Sequence, residues 1–159
     1  IAAEAGISRQ TLYNAFSNKD QVLQATIRLF SDRSTAGIDA GLKTASDLGE
    51  QLDVIFRYVA VEHFDLLHAS PNAEDIIAGF NASSHQEIAA AAERNKAIIA
   101  RVLEPYEGAI ERSGLTLDQF ADFVQRSATA AKYNAGSRNH LLKLLGALKV
   151  ATLKVTADF

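Results

Sequence analysis

The segment SRQTLYNAFSNK, residues 8–19, gathers side chains suited to reading a polyanion. Ser8 is a good helix N-cap, which puts Arg9, Gln10 and Thr11 in the first turn of the helix it opens. Leu12 and Phe16, at i and i+4, form the anchoring face. Arg9, Gln10, Thr11, Tyr13 and Asn14 then point mostly outward. Their chemistry suits a double helix: Arg pairs with guanine, Gln and Asn with adenine, and the Thr methyl packs on the thymine methyl. The Tyr13 hydroxyl can donate to a phosphate. Ser17 or Asn18 caps a further helix with Lys19 in its first turn, where both the helix N-terminus and the ammonium favour a phosphate oxygen. Phosphate contacts position a protein, so Gln10, Thr11 and Asn14 are the better candidates for sequence readout.

Two short helices must hold this face. In the first, Ile1, Ala2 and Ala5 share a side and leave Glu4 exposed. Gly6 can take the left-handed conformation that ends a helix, and Ile7 plugs the angle to the next one. This is helix-turn-helix grammar. The charge agrees locally: Arg9 and Lys19 are the only charged residues between Ser8 and Lys19. Net charge is −3, and residues 34–159 carry 12 Lys and Arg against 16 Asp and Glu, so the acidic remainder would repel DNA from other faces.

The segment AAEAGISRQTLYNAFSNKDQVL resembles the DNA-binding segment of tetracycline-repressor-type (TetR family) transcription regulators. The shared features are the Ala-x-x-Ala-Gly-Ile-Ser lead, Thr11-Leu12-Tyr13, aromatic Phe16, and Lys19 after it. The likeness is close over about 30 of the 159 residues and extends to the rest as architecture alone. It implies phosphate contacts from Thr11, Tyr13 and Lys19, and base reading by Gln10 and Asn14. The family's first helix, which packs under this motif, is not in the chain. No Met occurs, not even an initiator, and Ile1 already falls in a helical pattern. Residues before Ile1 are therefore expected, with substituted or omitted methionines as the alternative.

At 159 residues with 48% apolar content, the chain can hold a small module joined to a larger helical domain. The expected division is a helix-turn-helix domain over 1–33 and an effector-binding and dimerisation domain over 34–159. No run reaches the length of a membrane span, no signal-peptide pattern opens the chain, and cysteine is absent. These features suit a reducing cytoplasm.

Helical periodicity continues to the end, and the expected fold class is all-α. Val22, Leu23, Thr26, Ile27 and Phe30 extend an amphipathic helix to about Ser34, where Gly37 and Gly41 loosen the pattern. Asp47 caps a helix that stops near Ser70-Pro71. A short helix is expected over 74–80, followed by a long one capped by Ser83 or Ser84 and kinked at Pro105. Ser113-Gly114 ends it. Thr116 to Gln119 forms a capping box for the next helix, and Ser137 caps the last.

The final helix carries more than one apolar stripe, with Leu142, Leu145, Leu148, Ala151 and Thr152 beside its core set, and a helix apolar on two sides needs two partners. The resemblance implies a homodimer closed by a four-helix bundle, with Phe120, Ala128, Leu141, Leu145, Leu148 and Thr152 as interface candidates. Two recognition helices could then meet the half-sites of a palindromic operator. The resemblance also implies a small-molecule pocket among the central helices, which carry Phe56, Tyr58, His63, Phe64, His68, Phe80, His85, Tyr106, Phe120, Phe123 and Tyr133. Tyr106 beside the Pro105 kink is the first pocket candidate, then Phe64 and Phe123.

Enzyme chemistry finds little support. His63 and His68 are five apart and fall on different helix faces, no HExxH occurs, and thiolate chemistry is excluded. No cofactor or metal is expected, with a buried site built from His63, His68 or His85 as the residual alternative. The motif together with the resemblance implies a transcription regulator, a repressor released by an unidentified small-molecule effector. The competing reading is a helical dimer that binds a ligand or partner without regulating DNA.

Overall fold

The computed structural model describes residues 6, 8–69 and 82–157, and for Arg9, Leu12, Tyr13, Ala82 and Ser83 the backbone alone. The first helix-turn-helix segment, apart from Gly6, and the helix expected over 74–80 lie outside the described residues. Every regular element among the described residues is helical. In chain order they are α1 (Arg9–Ala15), α2 (Lys19–Leu42), α3 (Leu48–Phe56), α4 (Glu62–Ala69), α5 (Ala82–Leu103), α6 (Glu107–Arg112), α7 (Leu117–Asn134) and α8 (Arg138–Thr156).

Most starts follow from capping chemistry. Asn18 Oδ1 accepts from the Gln21 amide at 2.9 Å, and Asp47 Oδ1 from the Glu50 amide at 2.8 Å. The capping box of α7 is complete, with Gln119 N donating to Thr116 Oγ1 at 3.2 Å and Thr116 N to Gln119 Oε1 at 3.0 Å. Ser137 Oγ accepts from the His140 amide at 3.1 Å and opens α8. Serine caps at Ser83 or Ser84 do not form: α5 is already helical at Ala82, and Ser84 is buried within it. At Pro105 the missing N–H converts the end of α5 into a 3₁₀ turn, Glu104–Tyr106, before α6 resumes. Gly114, at φ +86°, then reverses the chain.

One helix is as long as expected and one is longer. The α3–α4 rod is continuous through a π-helical turn, Arg57–Val61. α2 does not stop near Ser34 but runs unbroken to Leu42, through the point between residues 33 and 34. Its glycines allow close approach rather than loosening the helix. A Cβ on Gly37 would collide with the Tyr58 ring, and one on Gly41 would lie 2.6 Å from Val54 Cγ1.

The core joins Ile38 of α2, Leu52 and Ile55 of α3, Ile99 and Leu103 of α5, Ile110 of α6, Val124 of α7 and Leu141 of α8, all fully buried. α5 packs mainly on α7 and α2, while α8 closes over α7 and α3. This packing sets where the interface candidates lie within one protomer. Phe120, Ala128, Leu141, Leu145 and Thr152 are buried in the protomer's own core, with Leu148 packed against it. The apolar side chains left outward are others: Phe123 is 55% exposed and Val150 58%, with Leu142 and Leu144 also in solvent. Where a helix has two apolar stripes, the denser one goes to the nearest large core, and that choice depends on how the helices cross.

Candidate functional site

Gly6 adopts φ +65°, the left-handed conformation that the turn before α1 requires. The Ser8 hydroxyl accepts from the Thr11 amide at 3.0 Å and lies 2.8 Å from the Thr11 hydroxyl, which starts α1 and orders its first turn. Ser8, Gln10, Thr11, Asn14 and Lys19 are all exposed. Gln10 Nε2 donates to Asn14 Oδ1 at 3.0 Å. The two amides therefore stand one turn apart on one face, with Gln10 Oε1 and Asn14 Nδ2 unpartnered among the described residues. That acceptor and donor pair is the complement of an adenine edge. Lys19 opens α2 beside the Asn18 cap, and Gln21 Oε1 accepts from the Ser17 amide at 2.8 Å, bracing the corner between the helices. The side chains of Arg9 and Tyr13 lie outside the described residues.

A second site sits farther along α2. A cavity of about 310 Å³ is lined by α2, the α3–α4 rod, α5 and α7. Leu23, Ile27 and Phe30 form one wall, and Gln125, Thr129 and Lys132 run along the opposite one at i, i+4 and i+7 of α7. The apolar stripe read from α2 thus faces a cavity as well as a core. The aromatic candidates do not line it. Phe64 is buried, stacked on the His68 ring at 3.8 Å between centroids. Tyr106 borders a separate groove with Asp39 and Arg101, and Phe123 is in solvent. The reason is steric: large rings fill space, and the cavity opens where Ser31, Ser34, Ala91 and Ala92 present short side chains.

The electrostatics of the cavity are one-sided. No Asp or Glu lines it among the described residues. Burial pushes the Lys132 ammonium down to about 8, and no acid compensates. Its Nζ lies 4.5 Å from the centroid of the Tyr133 ring. His63 is held below its ordinary value by burial first and by the charge of Lys132 second. Its Nδ1 donates to the Tyr58 carbonyl at 2.8 Å, which leaves Nε2 of the neutral ring as an acceptor. His68 Nδ1 likewise bonds the Phe64 carbonyl at 2.9 Å, and His85 is exposed. Sequence reasoning named His63 and Tyr133 but passed over Lys132 and Thr129. The available signal was Gln125, a polar residue spaced four from Ala121 and so inside the apolar stripe of α7.

A larger groove of about 590 Å³ runs between the α3–α4 rod and α8. Its charges are already paired, Arg138 with Asp65 and Arg57 with Glu62, each at 3.0 Å. Such exposed, mutually satisfied pairs make little demand on a ligand. Among the described residues, no three His, Asp or Glu group as a metal ion would need, and no helix is long and apolar enough to cross a membrane.

Residues 1–26 match the family model described as bacterial regulatory proteins, tetR family. The matched span contains the turn at Gly6, the exposed face of α1 and the start of α2. It supports a TetR-type DNA-binding transcription regulator. No curated protein and no solved structure matches the chain significantly.

Proposed function

We propose that this protein is a cytoplasmic, homodimeric transcriptional repressor that binds a palindromic operator in double-stranded DNA and leaves it when a small-molecule effector enters the cavity. The observation that carries the proposal is the course of α2. Its first turn holds Lys19 directly after the exposed face of α1, and Leu23, Ile27 and Phe30 on the same helix line the cavity. One helix therefore serves both sites. An effector that prefers another tilt of α2 shifts the protein toward a state in which the recognition helices miss their half-sites. Effector and DNA then prefer different states, and each weakens the other equally.

The dimer reading rests on α7 and α8. With their inner stripes used by the core, the outward apolar residues Phe123, Leu144 and Val150 are the material for a second subunit. On this proposal residues 1–33 act as the DNA module and residues 34–159 as the effector and dimerisation module, with the two sharing α2, whose residues 23–31 supply one wall of the cavity. The experiment is a mobility-shift titration of the full-length protein on the DNA flanking its own gene at fixed salt. Lys19→Ala is expected to weaken binding to every sequence and to reduce the salt slope by about one per site. Asn14→Ala is expected to lose about 1–3 kcal/mol at particular base pairs only. Unchanged operator affinity in both variants refutes the assignment.

A further inference from the structure

From the donors that converge in the cavity, we infer that its ligand is an amphipathic carboxylate, with the carboxylate on Lys132 and Thr129 of α7 and the apolar body against α2. The inference rests on the effector-cavity reading above and names the chemical class that the cavity would take.

Two polar groups on the wall lack the partner that their chemistry requires. Lys132 Nζ has no ion pair and no hydrogen bond among the described residues; its nearest neighbour of note is the face of Tyr133. Thr129 Oγ1 accepts from Gln125 Nε2 at 3.1 Å, which leaves the hydroxyl hydrogen without an acceptor among the described residues. The two stand at i and i+3, on neighbouring turns of one face, so their donors fall within reach of the two oxygens of a single carboxylate. Several other cations meet an acid. Lys96 meets Asp118 at 2.6 Å, Lys149 meets Asp53 at 2.5 Å, and Arg28 pairs with Glu87. Lys132 instead lines the cavity with no acid beside it among the described residues.

The rest of the lining sets the body of the ligand. Leu23, Ile27 and Phe30 of α2 and Ile88 of α5 are apolar, and no acid is present among the described lining residues to attract a cation. The volume, about 310 Å³, lies at the small end of ligand sites, which run from about 300 to 1,000 Å³. A short aliphatic or monocyclic acid fits this profile better than a large polycyclic molecule. Burial that pushes Lys132 toward neutrality agrees, since an anion beside it would restore the charged form.

The test compares sodium octanoate with octan-1-ol by calorimetry on the full-length protein without DNA. Octanoate is expected to bind at least about tenfold tighter than the alcohol, the factor that a charge-assisted hydrogen bond supplies. In Lys132→Met that preference is expected to disappear, and Lys132→Arg to restore part of it. Thr129→Val, a smaller change, is expected to weaken octanoate several-fold and leave the alcohol as it was. Equal binding of acid and alcohol, no heat from octanoate at millimolar concentration, or unaltered octanoate affinity in Lys132→Met each overturns the inference. Each of these results leaves the operator titration untouched, so a regulator with a neutral effector fails here and still passes there.

Discussion

Lys132 shows how much a single buried charge can report. Its unfolded form titrates near the ordinary 10.5, whereas in the folded protein burial brings it down to about 8. Between those values the unfolded chain binds more protons, so stability rises with pH across the window. Below about 8 the full penalty of burying the ammonium is present. Lys132→Met is therefore expected to raise stability at pH 7 by on the order of 2 kcal/mol, with the gain fading between pH 8 and 10.5. Denaturant melts across that range check it, and a pH-independent difference refutes it. Of the neighbouring titrations, His63 falls below the window and Tyr133 overlaps its upper edge, where it lowers stability as pH rises past about 10. His63 is depressed by burial, so it erodes stability only as pH falls below its ordinary 6.5, and burial raises the Tyr133 hydroxyl above its ordinary 10. At this scale the sequence was readable where chemistry is local. Ser8, Asn18, Asp47, Thr116 and Ser137 cap helices from their own positions, and their partners lie three residues on. Lys132 was harder to read, because its one local signal is indirect: Gln125, seven residues earlier on the same face, sits inside the apolar stripe.

Helices obey the same division. Their existence follows from periodicity and caps, while their ends follow from what they pack against. α2 passes two glycines that intrinsic propensity counts against it by about 1 kcal/mol each relative to Ala. It survives because Tyr58 and Val54 occupy the space that a Cβ would claim. Gly37→Ala is therefore expected to destabilise the protein despite the better helix former, by about 1–3 kcal/mol, as overpacking does. The Tyr58 carbonyl accepts from His63 of the cavity wall, so ligand affinity in the cavity is expected to change with it. Thermal melting of Gly37→Ala with and without Tyr58→Ala checks the mechanism, since removing the ring should relieve most of the loss. If Gly37→Ala is stabilising, the close approach of α2 to the α3–α4 rod is refuted. The π-helical turn Arg57–Val61 had no sequence signature. Across it the His63 ring reaches the Tyr58 carbonyl, an i to i+5 contact.

For the whole molecule, the proposed cycle needs two copies and one coupling helix. Phe123, Leu144 and Val150 remain in solvent on α7 and α8 after the core has taken the buried stripe. Val150→Glu and Phe123→Glu are expected to give a monomer by analytical ultracentrifugation while leaving the helical content unchanged. Monomers that still meet one half-site should bind the operator more weakly and without its two-fold cooperativity. A dimer that persists in both variants refutes this face. Truncating a buried interface candidate such as Leu141 is a different experiment, expected to cost about 2–5 kcal/mol of folding stability through the cavity it leaves.

The chain by itself determined the output of the protein. A left-handed turn at Gly6, a serine cap and a row of polar side chains on a short helix are relations between residues fewer than ten apart, and local stereochemistry is enough to read them. It also determined that the rest is helical, because a period of 3.6 is a local property too. Tertiary structure decided everything that requires knowing which side of a helix faces in. It sent Phe120, Leu141 and Thr152 to the core and left Phe123 and Val150 outside. It gathered Leu23, Phe30, His63 and Lys132 from three different stretches of chain around one cavity. A helix presents every face at equal spacing in sequence, and only the crossing of several helices gives those faces different surroundings.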